Sequence, residues 1–281
     1  MGLLRLKRGL IYESERMDKI KEIREYLPIE SLYEGHQLAK NDRVQARDTD
    51  GAFHPSQMGS CTRKLWYAAC MMPPKHRIDP KLRCTFEHGH AVHDWQQGEL
   101  GKLLEELSQR NVTLDGEHGT RFDAEFEVSL TSSSYSNGVA EALNIRGSAD
   151  GLIIVQDDHN EYMRVIYELK TMADASWQKL TKPQAKHVAQ ATIYANCLDA
   201  DVILFQYYNK NSDVSKFFYV EPDVAAWQNA CNQVDTVRQA LNNGVEVDAE
   251  YSMWECKSCG YYYDCKPELR QQGDTSPFRK G

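Results

Sequence analysis

Between residues 122 and 242 the apolar residues switch from a period of two to helical spacing and back again, and that succession leaves few folds open. Phe122, Ala124, Phe126, Val128 and Leu130 alternate with polar residues, the pattern of a half-buried strand. Gly151 to Val155 and Met163 to Leu169 read as two further strands, joined by a turn through Asp157-Asp158-His159-Asn160. A helix from Pro183 to Leu198 follows, with proline in its favoured first turn. Strands over 202–208 and 216–220, with a turn at 209–213, lead to a last helix from Asp223 to Asn242 that ends near Gly244. The order implies an α/β core with helical flanks and excludes a doubly wound nucleotide-binding fold.

Upstream, residues 13–48 are highly charged and helix-compatible, and read as an N-terminal helical extension. A loop through His54-Pro55-Ser56-Gln57-Met58-Gly59-Ser60 leads into a short helix from Cys61 to Ala69, closed by Met72-Pro73-Pro74. A longer helix is expected over 85–110, with Val92, Trp95, Leu100, Leu103 and Leu104 as a partial apolar stripe. The chain thus divides into an extension (1–50), a core (51–245) and a cysteine-rich segment with a tail (246–281). No stretch of the 281 residues approaches the apolar length of a membrane span, and charges interrupt the N-terminal apolar segment at once. A cytoplasmic location and no membrane partner are therefore expected; oligomeric state stays open. The net charge of −8 counts against long-range attraction to DNA, but a local basic channel can exist on an acidic protein. Arg63-Lys64, the stretch Lys75 to Arg83, and Lys179, Lys182 and Lys186 are the basic patches that could form one.

Three short segments carry the chemistry: Arg146-Gly147-Ser148-Ala149-Asp150-Gly151, Tyr167-Glu168-Leu169-Lys170-Thr171 and Gln190-Ala191-Thr192-Ile193-Tyr194. Glu168 and Lys170 are two apart on a strand, so a carboxylate and an ammonium project from one face. Asp150 begins the preceding strand, and hairpin pairing brings it against Glu168. Two hard carboxylates converging at one point suit Mg²⁺ or Mn²⁺. Gln190 and Tyr194 share a helix face and are placed to hold Lys170 or a substrate phosphate. Taken singly, Glu-x-Lys on a strand is a solvated face and Asp after a glycine turn is a turn residue; the combined order raises the functional reading.

Gly-x-x-Asp-Gly, then Glu-Leu-Lys, then Gln-x-x-x-Tyr resembles the RecB-like branch of the PD-(D/E)XK nucleases, over roughly Cys61 to Cys265. Phe86-Glu87-His88-Gly89-His90-Ala91-Val92-His93 is similar to that branch's Gly-x-x-x-His helix. The resemblance implies a restriction-endonuclease-like mixed central sheet with flanking helices, hydrolysing phosphodiester bonds of DNA. It implies that His93, Asp150, Glu168 and the backbone carbonyl of Leu169 hold Mg²⁺ or Mn²⁺. Lys170 would then orient the attacking water, with Gln190 and Tyr194 in support. His88 and His90 are left without a role.

Cys256, Cys259 and Cys265 supply three thiolates at close spacing, with no second pair of the kind a zinc ribbon needs. A [4Fe–4S] cluster tolerates a remote fourth thiolate; zinc is the alternative. Cas4-type and AddB-type nucleases carry such a cluster, and Ser60-Cys61-Thr62-Arg63-Lys64-Leu65-Trp66-Tyr67 resembles its first arm, with Thr62 where the family has proline. The resemblance therefore implies Cys61 as the fourth ligand, with Cys70 and Cys84 as weaker choices, and a C-terminal iron–sulfur region clasping the core. It also implies exonuclease action from ends of single-stranded or end-exposed DNA. Because no Gly-x4-Gly-Lys-Ser/Thr motif is present, unwinding would fall to a helicase or recombination partner. Basic residues interleaved with Trp66, Tyr67, Trp177 and Tyr261 to Tyr263 suit single strands; packing in the core is the competing role for those rings. Two other classes stay open: a non-catalytic DNA-end-binding or assembly protein on the nuclease fold, and a zinc-stabilised regulatory module.

Overall fold

The computed structural model describes residues 50–75, 80–110, 121–156, 162–249, 255–256 and 259–265, with a few isolated positions between 31 and 39. The proposed extension at 13–48, the turn at 157–160 and the tail after 265 therefore lie almost wholly outside the described residues.

A five-stranded mixed sheet in the order β1-β2-β3-β4-β5 organises the chain. Its strands are β1 (Arg121–Ser129), β2 (Ser148–Gln156), β3 (Tyr162–Met172), β4 (Val202–Asn209) and β5 (Ser215–Val220). Neighbours run antiparallel except β3 and β4, which are parallel. A parallel pair needs a crossover, and here it consists of two helices over Asp174–Gln178 and Ala185–Leu198. Numbered along the chain, the helices are α1 (Thr62–Ala69), α2 (Pro80–Arg110), α3 (Val139–Leu143), α4 (Asp174–Gln178), α5 (Ala185–Leu198), α6 (Val224–Asn243) and α7 (Tyr262–Cys265).

The sheet is covered on both faces. On one, Leu152, Ile166, Ile203 and Phe205 pack with Ala191, Ile193 and Ala195 of α5 and with Val234 and Val237 of α6. On the other, Ile153, Val165, Tyr167, Leu169 and Leu204 pack with Val92 and Leu104 of α2. Strands β3 and β4, buried on both sides, accordingly read as near-continuous apolar runs. Helix α2 begins five residues before the expected start, at Pro80, a residue well suited to a first helical position. Asp223 is the N-cap of α6: its carboxylate accepts the N–H groups of Ala225 and Ala226 at 2.9 and 3.0 Å.

One feature of β1 departs from its pattern. Phe122, Ala124 and Phe126 face α2, yet Val128 and Leu130, which continue the same alternation, pack on the opposite side. The change falls at Glu127, whose φ of +52° turns the chain over.

Ile166 is fully buried on the central strand, so Ile166→Ala is expected to destabilise the fold by about 2–5 kcal/mol. Urea titration should show this as a lower midpoint at unchanged slope.

Candidate active site

Strands β2 and β3 pair from Gln156↔Tyr162 as far as Gly151↔Tyr167, where the ladder stops. Asp150 and Glu168 come next in register and face each other without a ladder bond. Asp150 instead points its carboxylate across the gap, where Oδ2 accepts the backbone N–H of Leu169 at 2.7 Å. On the other flank the β1–β2 pairing passes over Glu127 and Asp150, then resumes at Val128↔Ala149. The sheet is thus dislocated at one step, and Asp150 stands in the dislocation. Gln97 of α2, 5% exposed, pins it: Nε2 donates to the carbonyl of Asp150 at 2.9 Å and to Glu127 Oε1 at 3.1 Å.

Glu168 and Lys170 project from the same face of β3, as their spacing requires, and form an ion pair. The carboxylate is 0% exposed; Oε1 meets the Lys170 ammonium, and Oε2 has no hydrogen-bond partner. Burial, and next the charge of Asp150, push its pKa above the usual carboxylate range, although Lys170 opposes them. Burial works against the charge of Lys170, but Glu168 and Asp150 outweigh it and hold the ammonium protonated. His93 of α2 completes the group, with Nδ1 3.5 Å from Asp150 Oδ2. Burial disfavours its protonation, yet the Asp150 carboxylate prevails and raises its pKa.

The structure therefore brings His93, Asp150, Glu168, Leu169 and Lys170 together at one strand end. Gln190 and Tyr194 lie on α5, which packs on this face of the sheet, and Gln190 Nε2 donates to Tyr194 Oη at 2.8 Å. His88 and His90 are exposed. Gln97 and Glu127 were not read from the sequence. The available signal for Gln97 was its position one helical turn after His93, on the same face of α2.

Among the described residues no group of three His, Cys, Asp or Glu side chains stands ready to enclose a metal ion. In their present contacts Asp150 is turned to His93 and Leu169, and Glu168 to Lys170. The donor chemistry nevertheless fits a hard divalent cation: two carboxylates in each other's field, one of them buried with one oxygen unpartnered.

Some 190 residues apart in sequence, Cys61 and the C-terminal cysteines meet. Cys61, Cys256, Cys259 and Cys265 line one small cavity with Arg63, Lys64 and Tyr67. Burial raises the Cys259 and Cys265 thiols, and Cys61 and Cys256 add to that effect. Cys61 N–H donates to Glu255 Oε1 at 2.7 Å, and Arg63 Nη1 lies 3.7 Å from Cys265 Sγ, so the two arms are joined directly. Cys70 and Cys84 do not line the cavity. The four sulfur side chains are soft donors that share this cavity, although no three of them are gathered closely enough to enclose an ion.

The rings expected beside a DNA channel are placed differently. Tyr67 and Tyr261 are buried and stacked on each other with centroids 5.1 Å apart. Trp66 packs against the core, and Trp177 lies under Lys216 with its Nε1–H bonded to the Tyr207 carbonyl. Arg63 is held by the Val247 carbonyl and Glu246. These groups are packing, not free stacking platforms. Lys179, Lys182 and Lys186, by contrast, are exposed along the α4–α5 segment.

No family model matches the chain, and no curated protein matches it. Among solved structures it is similar to that of the protein SSO0001, at 17% identity and a TM-score of 0.41, covering 86% of this chain and 97% of that one. It is also similar to the alkaline exonuclease LHK-Exo from Laribacter hongkongensis, at 13% identity and a TM-score of 0.35, covering 73% of this chain and 94% of that one. LHK-Exo in complex with dAMP gives 14% identity at the same TM-score and coverage. Overlap this loose carries no function across, so the site has to speak through its own chemistry. Among the described residues no helix is long and apolar enough to cross a membrane.

Gln97→Leu would leave the Asp150 carbonyl and Glu127 without their shared donor, at an expected cost of about 1–3 kcal/mol. Thermal unfolding of the variant against wild type measures it; an unchanged midpoint would mean that the dislocation is held by something else.

Proposed function

We propose that the chain is a divalent-metal-dependent deoxyribonuclease of the PD-(D/E)XK type. The observation that carries the reading is the Glu168 carboxylate, fully buried beside Asp150, with Lys170 on one oxygen and no partner on the other. Buried charges are expected to be paired and hydrogen-bonded or to coordinate metals. A structural role would be met more cheaply by an apolar residue. His93, Asp150, Glu168 and the Leu169 carbonyl would hold the Mg²⁺ or Mn²⁺. When bound, such a cation supplies Lewis-acid neutralisation of the scissile phosphate and a more acidic water.

The protein's own contributions follow from position. Lys170 is kept protonated by its carboxylate neighbours and offers a cation and donor to the water or to charge developing on the phosphate. Asp150 is held at its backbone carbonyl by Gln97 and at its carboxylate by the Leu169 N–H, which fixes the side chain against β3. Lys179, Lys182 and Lys186, exposed along the α4–α5 segment, would give DNA phosphates a basic edge, and binding should weaken with salt. The resemblance to RecB-like nucleases extends the reading to exonuclease action at ends of single strands, with a helicase or recombination protein as partner. The cysteines would bind a [4Fe–4S] cluster with Cys61 as fourth ligand, zinc being the alternative. Such a group would tie α1 to the C-terminal segment, so its binding would count towards folding.

Asp150→Asn and Glu168→Gln should each abolish cleavage of end-labelled DNA in Mn²⁺ while the chain still folds; substantial cleavage by either variant would remove the assignment. Mn²⁺ at about a hundred times its Kd should stabilise wild type by about 2.7 kcal/mol, a rise of roughly 5–10 °C in Tm that both variants lose. The pH dependence has a definite sign. Glu168 holds its proton to higher pH when folded than when unfolded, so its contribution to stability falls as pH rises through that window. The cation competes with that proton, so the Mn²⁺-induced shift should shrink as pH is lowered through the same window.

Anaerobically purified protein should be brown with about four irons and four sulfides. Cys61→Ala should lose the colour and much of the soluble yield. Colourless protein with stoichiometric zinc would decide for the alternative. Covalently closed single-stranded circles should survive conditions that consume the linear strand, and rapid cutting of circles would show an endonuclease.

A further inference from the structure

Beside the Glu168–Lys170 pair the same face of the sheet carries a second buried polar contact. Tyr207 of β4 is the register partner of Lys170 and is fully buried. Its hydroxyl lies 2.9 Å from His187 Nδ1 and accepts the backbone N–H of Gln184 at 3.1 Å. A hydroxyl has one proton to give, and a buried one has to place it on an acceptor. Gln184 N is a donor, so among the described contacts that acceptor is His187 Nδ1. The imidazole proton is then on Nε2. Burial, reinforced by the charges of Lys170 and Lys186, holds the His187 pKa down at about 3, so the ring stays neutral. His187, Gln190 and Tyr194 stand at i, i+3 and i+7 on α5, which makes the ring part of one stripe with the pair already described. It is half-buried, while Lys186 next to it is exposed. His187 is thus close enough to feel the charges of both Lys170 at the site and Lys186 on the exposed edge.

We propose that His187 is a substrate-binding residue of this site, whose Nε2–H, fixed by the Tyr207 hydroxyl, donates to a non-bridging oxygen of a DNA phosphate adjoining the scissile one. The proposal rests on the nuclease reading above. A neutral donor directs the phosphate without placing another positive charge beside carboxylates that hold a cation.

Single-turnover cleavage of a labelled linear single strand in Mn²⁺ separates half-saturation from maximal rate. His187→Asn keeps an acceptor near the Nδ1 position and removes the Nε2 donor. It should raise the half-saturating concentration about tenfold, the loss of one charge-assisted hydrogen bond, and largely keep the maximal rate. His187→Gln returns a donor near the Nε2 position and should recover most of the affinity. Wild-type half-saturation in His187→Asn, or equal losses in both variants, would overturn the proposal while leaving the nuclease reading intact. A wild-type protein with no metal-dependent cleavage would end both. Independently of any variant, ¹⁵N NMR of histidine-labelled protein should show this ring neutral and protonated on Nε2 down to about pH 5. A proton on Nδ1, or titration near the ordinary histidine value, would contradict it.

Discussion

A carboxylate that the fold buries completely, with a single ammonium as its counter-charge, governs the centre of this structure. An ionised group taken out of water costs several kcal/mol even after relaxation, and mutual attraction repays this only when partners are well placed. Glu168 has one such partner, Lys170, and one opponent, Asp150, whose charge makes its ionisation harder. Two carboxylates against one ammonium is a composition that accepts a further positive charge. The surrounding core cannot relieve the strain, because Ile166 and Leu169 beside Glu168 are fully packed between α2 and α5.

The strand dislocation gives that electrostatic arrangement its geometry. Had β2 and β3 stayed paired, the Leu169 N–H would have no call on the Asp150 side chain. Because the ladder ends at Gly151, the carboxylate takes over as acceptor and is fixed against β3. Glu127 produces the matching break on β1, and one glutamine from α2 bridges both broken strands. The same helix brings His93 to Asp150 one turn earlier. A long helix laid across three strands thus does for the site what a loop would do less rigidly.

Much of this was legible in the sequence. A period of two necessarily puts Glu168 and Lys170 on one face, and antiparallel pairing of the two strands can set Asp150 against Glu168, as the register does. The strands and long helices follow their apolar patterns to within a few residues. The phase change at Glu127 was not legible, because Phe126, Val128 and Leu130 continue an unbroken alternation while facing different layers. The short helices α3 and α4 carry too few residues to show a period. Aromatic residues near basic ones suggested stacking platforms, but closeness in sequence says nothing of burial, and Tyr67 and Tyr261 stack on each other. The tie between Cys61 and the C-terminal cysteines came from resemblance, since no local pattern relates residues so far apart. Gln190 and Tyr194, four apart on α5, are hydrogen-bonded to each other, as a shared helix face allows.

Asp150 and Glu168 are expected to bind one cation between them. Crystals soaked in Mn²⁺ and measured at a wavelength where manganese scatters anomalously test this directly. An anomalous peak within about 2.0–2.3 Å of oxygens from both carboxylates, where Glu168 has turned from Lys170, is the predicted result. Full-occupancy manganese elsewhere, with the Glu168–Lys170 pair undisturbed and no peak at the dislocation, would contradict it.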